Sequence, residues 1–182
     1  MYYFNITLKI LVLIFSLNLN AKVDPPNYNF SLDELAIFNP GSSISEIEKK
    51  YGPGLIIEKK GEITIFRFFV SQLRYKFPVI VQAKSAEVLD FYATLPSYFL
   101  HDVFHQSLIN RIGKQNQYLL RDEHAVYVWN NVKNLKHTYS AACTITCFPI
   151  FYSVSRIDGE RYQPLIDLFI ENEKSVRNQK KN

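Results

Sequence analysis

The chain has 182 residues, of which 47% are hydrophobic and 15% aromatic, with 14 Phe, 12 Tyr and a formal charge of +4 at pH 7. Such a chain can bury a sizeable core, which excludes intrinsic disorder, and its aromatic and β-branched content favours strands. Lys174, Arg177, Lys180 and Lys181 concentrate positive charge in the tail, so the body is near neutral and lacks the basic face of a dedicated nucleic-acid binder.

The N-terminus reads as an export signal. The apolar run after Lys9, Ile10-Leu11-Val12-Leu13-Ile14-Phe15, is shorter than the about 20 residues that span a bilayer. It suits the h-region of a secretory signal peptide, with Ala21 as the small residue at the cleavage point. Residues 1–21 are therefore expected to be removed in a bacterial secretory pathway; a retained anchor and a buried core segment are the alternatives. No Cys lies near the cleavage point, so no lipid-anchored route is implied. The expected product is periplasmic or secreted, without stable membrane insertion. Residues 22–38 read as a linker, in which Leu32, Leu35 and Phe38 form a turn that packs on the first folded unit.

Beyond residue 38 the pattern repeats. With a constant offset of 61, Ile47 meets Leu108, Gly52 meets Gly113, Ile65-Phe66 meets Val126-Tyr127 and Phe68 meets Trp129. This predicts two units, 39–97 and 98–158, with a C-terminal helix and basic tail over 159–182. In the first unit a helix is predicted over Ser42–Tyr51. Ser42 or Ser43 caps it, Ile44, Ile47 and Tyr51 form one apolar stripe, and Gly52 stops it. Strands come next at Leu55–Glu58, Ile63–Val70, Phe77–Ala83 and Glu87–Thr94. The second unit is predicted as a helix at Tyr98–Ile112 and strands at Tyr118–Leu120, Ala125–Asn130, Thr138–Thr144 and Phe148–Ser155. A last helix is predicted over Tyr162–Lys174. The expected class is α+β, a tandem of helix plus antiparallel three- or four-stranded sheet, the two sheets adjoining.

Gly41, Ser43, Ile47, Tyr51-Gly52 and Pro53 stand in the order that opens the SmpA/OmlA domain, the small lipoprotein of the outer-membrane assembly machine. Phe66-Arg67-Phe68 and Tyr127-Val128-Trp129 are similar to its aromatic-x-aromatic strand. The tandem also resembles the β-lactamase-inhibitor protein fold. The family's Pro usually lies one residue later, the second unit has Asp102 in place of the leading Gly and lacks the Pro, and the lipid-bearing Cys has no counterpart. The resemblance implies a fold that binds proteins without catalysing a reaction.

Cys143 and Cys147 are the only thiols. A straight strand holds residues four apart about 13 Å from each other, beyond the ~7 Å that a disulfide tolerates between Cα atoms. The repeat alignment places Thr144-Ile145-Thr146 over a turn, which favours a hairpin disulfide; two buried thiols, or a metal or redox pair, remain open. His101 and His105 share a helix face at the spacing of a zinc motif, but Asp102 stands where that motif needs Glu and no third ligand is identifiable. They carry the alternative reading, a small metal-dependent hydrolase. Asp122-Glu123-His124 reads as a solvated hairpin tip. No phosphate loop or nucleophile elbow is present, so no cofactor is implied.

Aromatics are more plentiful than one sheet face needs. Adjacent strand residues point to opposite faces, so one member of Phe91-Tyr92 and one of Phe151-Tyr152 is expected to be exposed. Phe68, Trp129, Phe91 and Tyr152 are the resulting binding candidates. The expected function is non-enzymatic binding, through a concave sheet face, of a protein partner in the envelope or outside the cell; a purely structural envelope protein is a third possibility.

Overall fold

The computed structural model describes residues 33–72, 75–96, 101–121, 124–143, 147–157 and 162–167. The expected signal peptide, most of the linker, the tip at Asp122-Glu123 and the basic tail lie outside them.

The first described residues join the core. Leu35 and Phe38 are buried, and Ala36–Phe38 forms a single 3-10 turn. Leu35 and Phe38 pack on the first unit as expected, and residues 22–32 of the expected linker lie outside the described residues. Helix α1 (Ile44–Tyr51) starts where Ser43 accepts a hydrogen bond from the Ser45 N–H and ends at Gly52, whose φ of 82° suits a residue without a Cβ. Ile44 and Ile47 are buried and Tyr51 half-buried, as their spacing predicts. Strands β1 (Leu55–Lys60), β2 (Ile63–Gln72), β3 (Tyr75–Lys84) and β4 (Glu87–Leu95) come next. Helix α2 (His101–Ile112) buries Phe104 and Leu108, and β5 (Gln117–Arg121), β6 (His124–Val132), β7 (Leu135–Cys143) and β8 (Cys147–Arg156) complete the order. Of the predicted C-terminal helix, the described residues contain one turn at 165–167.

Among the described residues eight strands form one sheet in the order β1-β2-β3-β4-β8-β7-β6-β5, every neighbouring pair antiparallel. The expectation of two adjoining sheets is thereby replaced by a continuous one. The join is β4 against β8, in register from Asp90↔Ser155 to Leu95↔Ile150, and inside it Ser153 Oγ donates to the Phe91 carbonyl at 2.8 Å. Strand pairing across this join satisfies backbone groups that would otherwise be unpaired edges.

Two cores lie against the sheet. One gathers Phe38, Ile44 and Ile47 with Phe68, Val79 and Phe91, and continues through Phe104, Leu108, Trp129 and Tyr139. The other holds Tyr92, Phe151, Leu165 and Ile166. Because adjacent residues of one strand contribute to different clusters, the middle of the sheet is covered on both faces.

Candidate functional site

The four aromatics expected to bind a partner are core residues. Phe68, Phe91, Trp129 and Tyr152 are each at most 5% exposed. Phe38 lies between the Phe68 and Phe91 rings, with centroids 5.9 and 6.1 Å away, and Phe91 meets Tyr152 edge-on at 5.9 Å. The Trp129 indole N–H donates to the Gly113 carbonyl at 2.7 Å, tying β6 to the end of α2. Tyr92 and Phe151, the partners expected on an open face, stack on each other at 5.4 Å and are covered by the cluster containing Leu165 and Ile166. The expected exposed aromatics are therefore packing residues, because both faces of β4 and β8 are covered. The signal was in the sequence: the run Val88-Leu89-Asp90-Phe91-Tyr92-Ala93, apolar but for Asp90 and not alternating, marks a strand buried on both faces.

The histidine and cysteine candidates sit elsewhere in the fold. The His105 ring lies 4.0 Å from that of Tyr127 and 6.1 Å from that of Tyr139, within an aromatic layer under α2. Among the described residues no three His, Cys, Asp or Glu side chains come together to hold a metal ion. Cys143 and Cys147 are cross-strand partners in the β7–β8 register, with the expected turn at 144–146 outside the described residues.

Exposed apolar surface lies at the two edges of the sheet instead. On β1 it is Leu55, Ile56 and Ile57, and on β5 it is Tyr118, Leu119 and Leu120; Ile56 and Leu120 are 57% and 67% exposed. These strands end the sheet at either side, so each presents a row of backbone donors and acceptors with no neighbouring strand among the described residues. Native proteins usually guard such edges with charge, Pro or a bulge. On β1 the charges Glu58, Lys59 and Lys60 crowd one end, and a bulge falls between Ile56 and Glu58. Ahead of that bulge, Leu55 and Ile56 are left open.

A groove of about 560 Å³ adjoins the start of β1. Pro53, Leu55 and Phe69 supply apolar walls, and Lys50, Arg67 and Lys76 supply cations. Phe69 is 43% exposed and carries the Lys76 ammonium 4.9 Å from its ring centroid, a cation–π contact that keeps the lysine over the strand. Gly54 makes this corner possible: a Cβ there would lie 2.6 Å from the Phe68 ring. The arrangement can hold an extended chain by its backbone while Arg67 and Lys76 select acidic side chains. No family model, curated protein or solved structure matches the chain.

Proposed function

We propose that the chain is an exported, non-enzymatic protein-binding module, periplasmic or secreted, built from two α–β units. The apolar leader at residues 10–15 supports export. The duplication is supported by element bounds: α1 and α2 end at Tyr51 and Ile112, and β2 and β6 start at Ile63 and His124, each pair at the 61-residue offset. The SmpA/OmlA-like motif argues in the same direction by implying protein binding.

The observation that carries the binding reading is the open apolar pair Leu55-Ile56 on an edge strand beside a groove lined by Lys50, Arg67 and Lys76. A partner segment adds to β1 as a further strand, with main-chain hydrogen bonds giving affinity. Acidic side chains on that segment meet the groove, which moves the binding surface from the sheet face to the sheet edge.

The test is capture from an envelope extract with a photo-crosslinker at Ile56, followed by identification of the crosslinked chain. Ile56→Lys and Arg67→Glu should each abolish capture while leaving the melting temperature within a few degrees of wild type. Capture that survives both substitutions rules the edge out.

A further inference from the structure

A second cavity, of about 430 Å³, opens between the N-terminal turn, the end of α2 and the β6–β7 hairpin. Its volume is in the range of small-molecule sites. Leu35, Leu108, Val132 and Leu135 form apolar walls. His137 and Tyr152, both under 9% exposed, lie deep, whereas Asp33, Arg111 and Lys133 are exposed residues of the rim.

The deep pair has a donor to spare. His137 Nδ1 and the Tyr152 hydroxyl are 2.7 Å apart, on diagonal positions of one face of β7 and β8. Burial lowers the His137 pKa to about 4, so its ring is neutral at pH 7. A neutral imidazole and a phenol own one polar hydrogen each, and their mutual hydrogen bond uses one. Whichever tautomer is present, one N–H or O–H remains for an acceptor. At the rim, Arg111 engages the Asp33 carboxylate at 2.6 Å, and Lys133 adds a second positive charge. Lys133 itself sits in a tight turn at a φ of 54°, so its Cα is fixed at the mouth.

We propose that this cavity binds a small amphipathic hydroxy or keto acid, its carboxylate at the Arg111–Lys133 rim, its apolar body against Leu35, Leu108 and Val132, and its far oxygen accepting from the His137–Tyr152 pair. This site is separate from the β1 edge, and its occupancy does not depend on the protein partner.

The experiment is titration calorimetry of the purified protein with ω-hydroxy acids of about six to ten carbons, a length chosen to fill such a volume. Matched alkanoic acids and diols serve as controls, all below their micellar concentrations. The hydroxy acid should bind saturably and at least tenfold tighter than the diol. Lys133→Asn, which suits the left-handed turn position, should weaken both acids about threefold to tenfold and leave the diol unchanged. The double variant His137→Phe/Tyr152→Phe, which removes both polar hydrogens, should erase the preference for the hydroxy acid over the alkanoic acid. Equal binding of acid and diol, no saturable binding, or equal loss of acid and diol on Lys133→Asn would overturn the assignment. Lys133 lies on an exposed turn, so this last comparison stands even if the double variant does not fold.

Discussion

Asp33 and Arg111, 78 positions apart in the chain, meet through two guanidinium–carboxylate hydrogen bonds of 2.6 and 3.1 Å. The next residue repeats the device on the other helix: Glu34 accepts from the Lys50 ammonium at 2.7 Å and from the Tyr51 hydroxyl at 2.5 Å. One turn of chain thus holds the ends of both helices. These partners keep both carboxyls below their ordinary pKa, by hydrogen bonds from Arg111 to Asp33 and from Lys50 and Tyr51 to Glu34. A carboxylate depressed in the folded state contributes stability above its unfolded pKa and loses it as pH falls through the folded value. Glu34→Gln should therefore cost about 1 kcal/mol at pH 7, and the difference from wild type should shrink as pH falls through the carboxylate range. Asp33→Asn, at an exposed ion pair, should cost about 0.5 kcal/mol. Urea midpoints of the three proteins across this range decide it; a gap that stays constant down to pH 3 would show that the charge is irrelevant.

The β3–β4 hairpin turns on Ser85-Ala86, with φ of 49° and 68°. Two consecutive positive φ values define the turn that Asn-Gly suits best, because a Cβ resists the left-handed region. The turn also seats α1, since the Ile44 N–H donates to the Ala86 carbonyl at 2.9 Å. Replacing Ser85-Ala86 by Asn-Gly should raise stability by about 1 kcal/mol, seen as a melting-temperature gain of a few degrees. A lower melting temperature would show that the Ala86 methyl contributes packing that outweighs its strain.

How far the pattern could be read depended on the range of the interaction. Gly52 and Gly113 marked the helix ends because a left-handed stop is a local requirement, and both residues have a positive φ. All eight strands appear within a few residues of their predicted bounds, since alternation is local too. The pairing of β4 with β8 was not legible. It joins residues such as Asp90 and Ser155, and nothing in either strand's own pattern names its neighbour. The His137–Tyr152 pair was hidden for the same reason: it arises from the β7–β8 register, not from a motif. The aromatic candidates were misplaced because both faces are covered by distant residues: Phe68, Phe91, Trp129 and Tyr152 share a core with Phe38, Ile47, Phe104 and Leu108, and their neighbours Tyr92 and Phe151 are covered by Leu165 and Ile166.

Cys143 and Cys147 are direct cross-strand partners, and opposed residues of antiparallel strands have Cα atoms about 4.5 to 5.5 Å apart. That separation lies inside the disulfide range, whereas the same residues in one straight strand would lie outside it. The export proposed above would bring the pair into an oxidising compartment, where it should be oxidised. Intact mass should rise by about 2 Da on reduction, and alkylation without reductant should label neither thiol. Labelling of both under native, unreduced conditions would show two free cysteines.

Asp90 lies at the β4–β8 join, fully buried, and its Oδ2 accepts from the Leu165 N–H at 2.7 Å. Its Oδ1 has no hydrogen-bond partner among the described residues. Burial, opposed in part by the Leu165 hydrogen bond and assisted by the nearby Asp167, raises its pKa to about 7. The folded protein therefore holds this proton more tightly than the unfolded chain, whose Asp titrates near 4. Between those values the folded state binds more protons, so stability must fall as pH rises from about 4 to about 7, then level off. Asp90→Asn keeps an acceptor for the Leu165 N–H and removes the charge. It should leave stability nearly unchanged below about pH 4, raise it at pH 8, and flatten the profile between. Equal wild-type urea midpoints at pH 5 and 8, or a variant destabilised equally at both, would mean that this carboxyl is ionised in the folded state and held by a partner instead of by its proton.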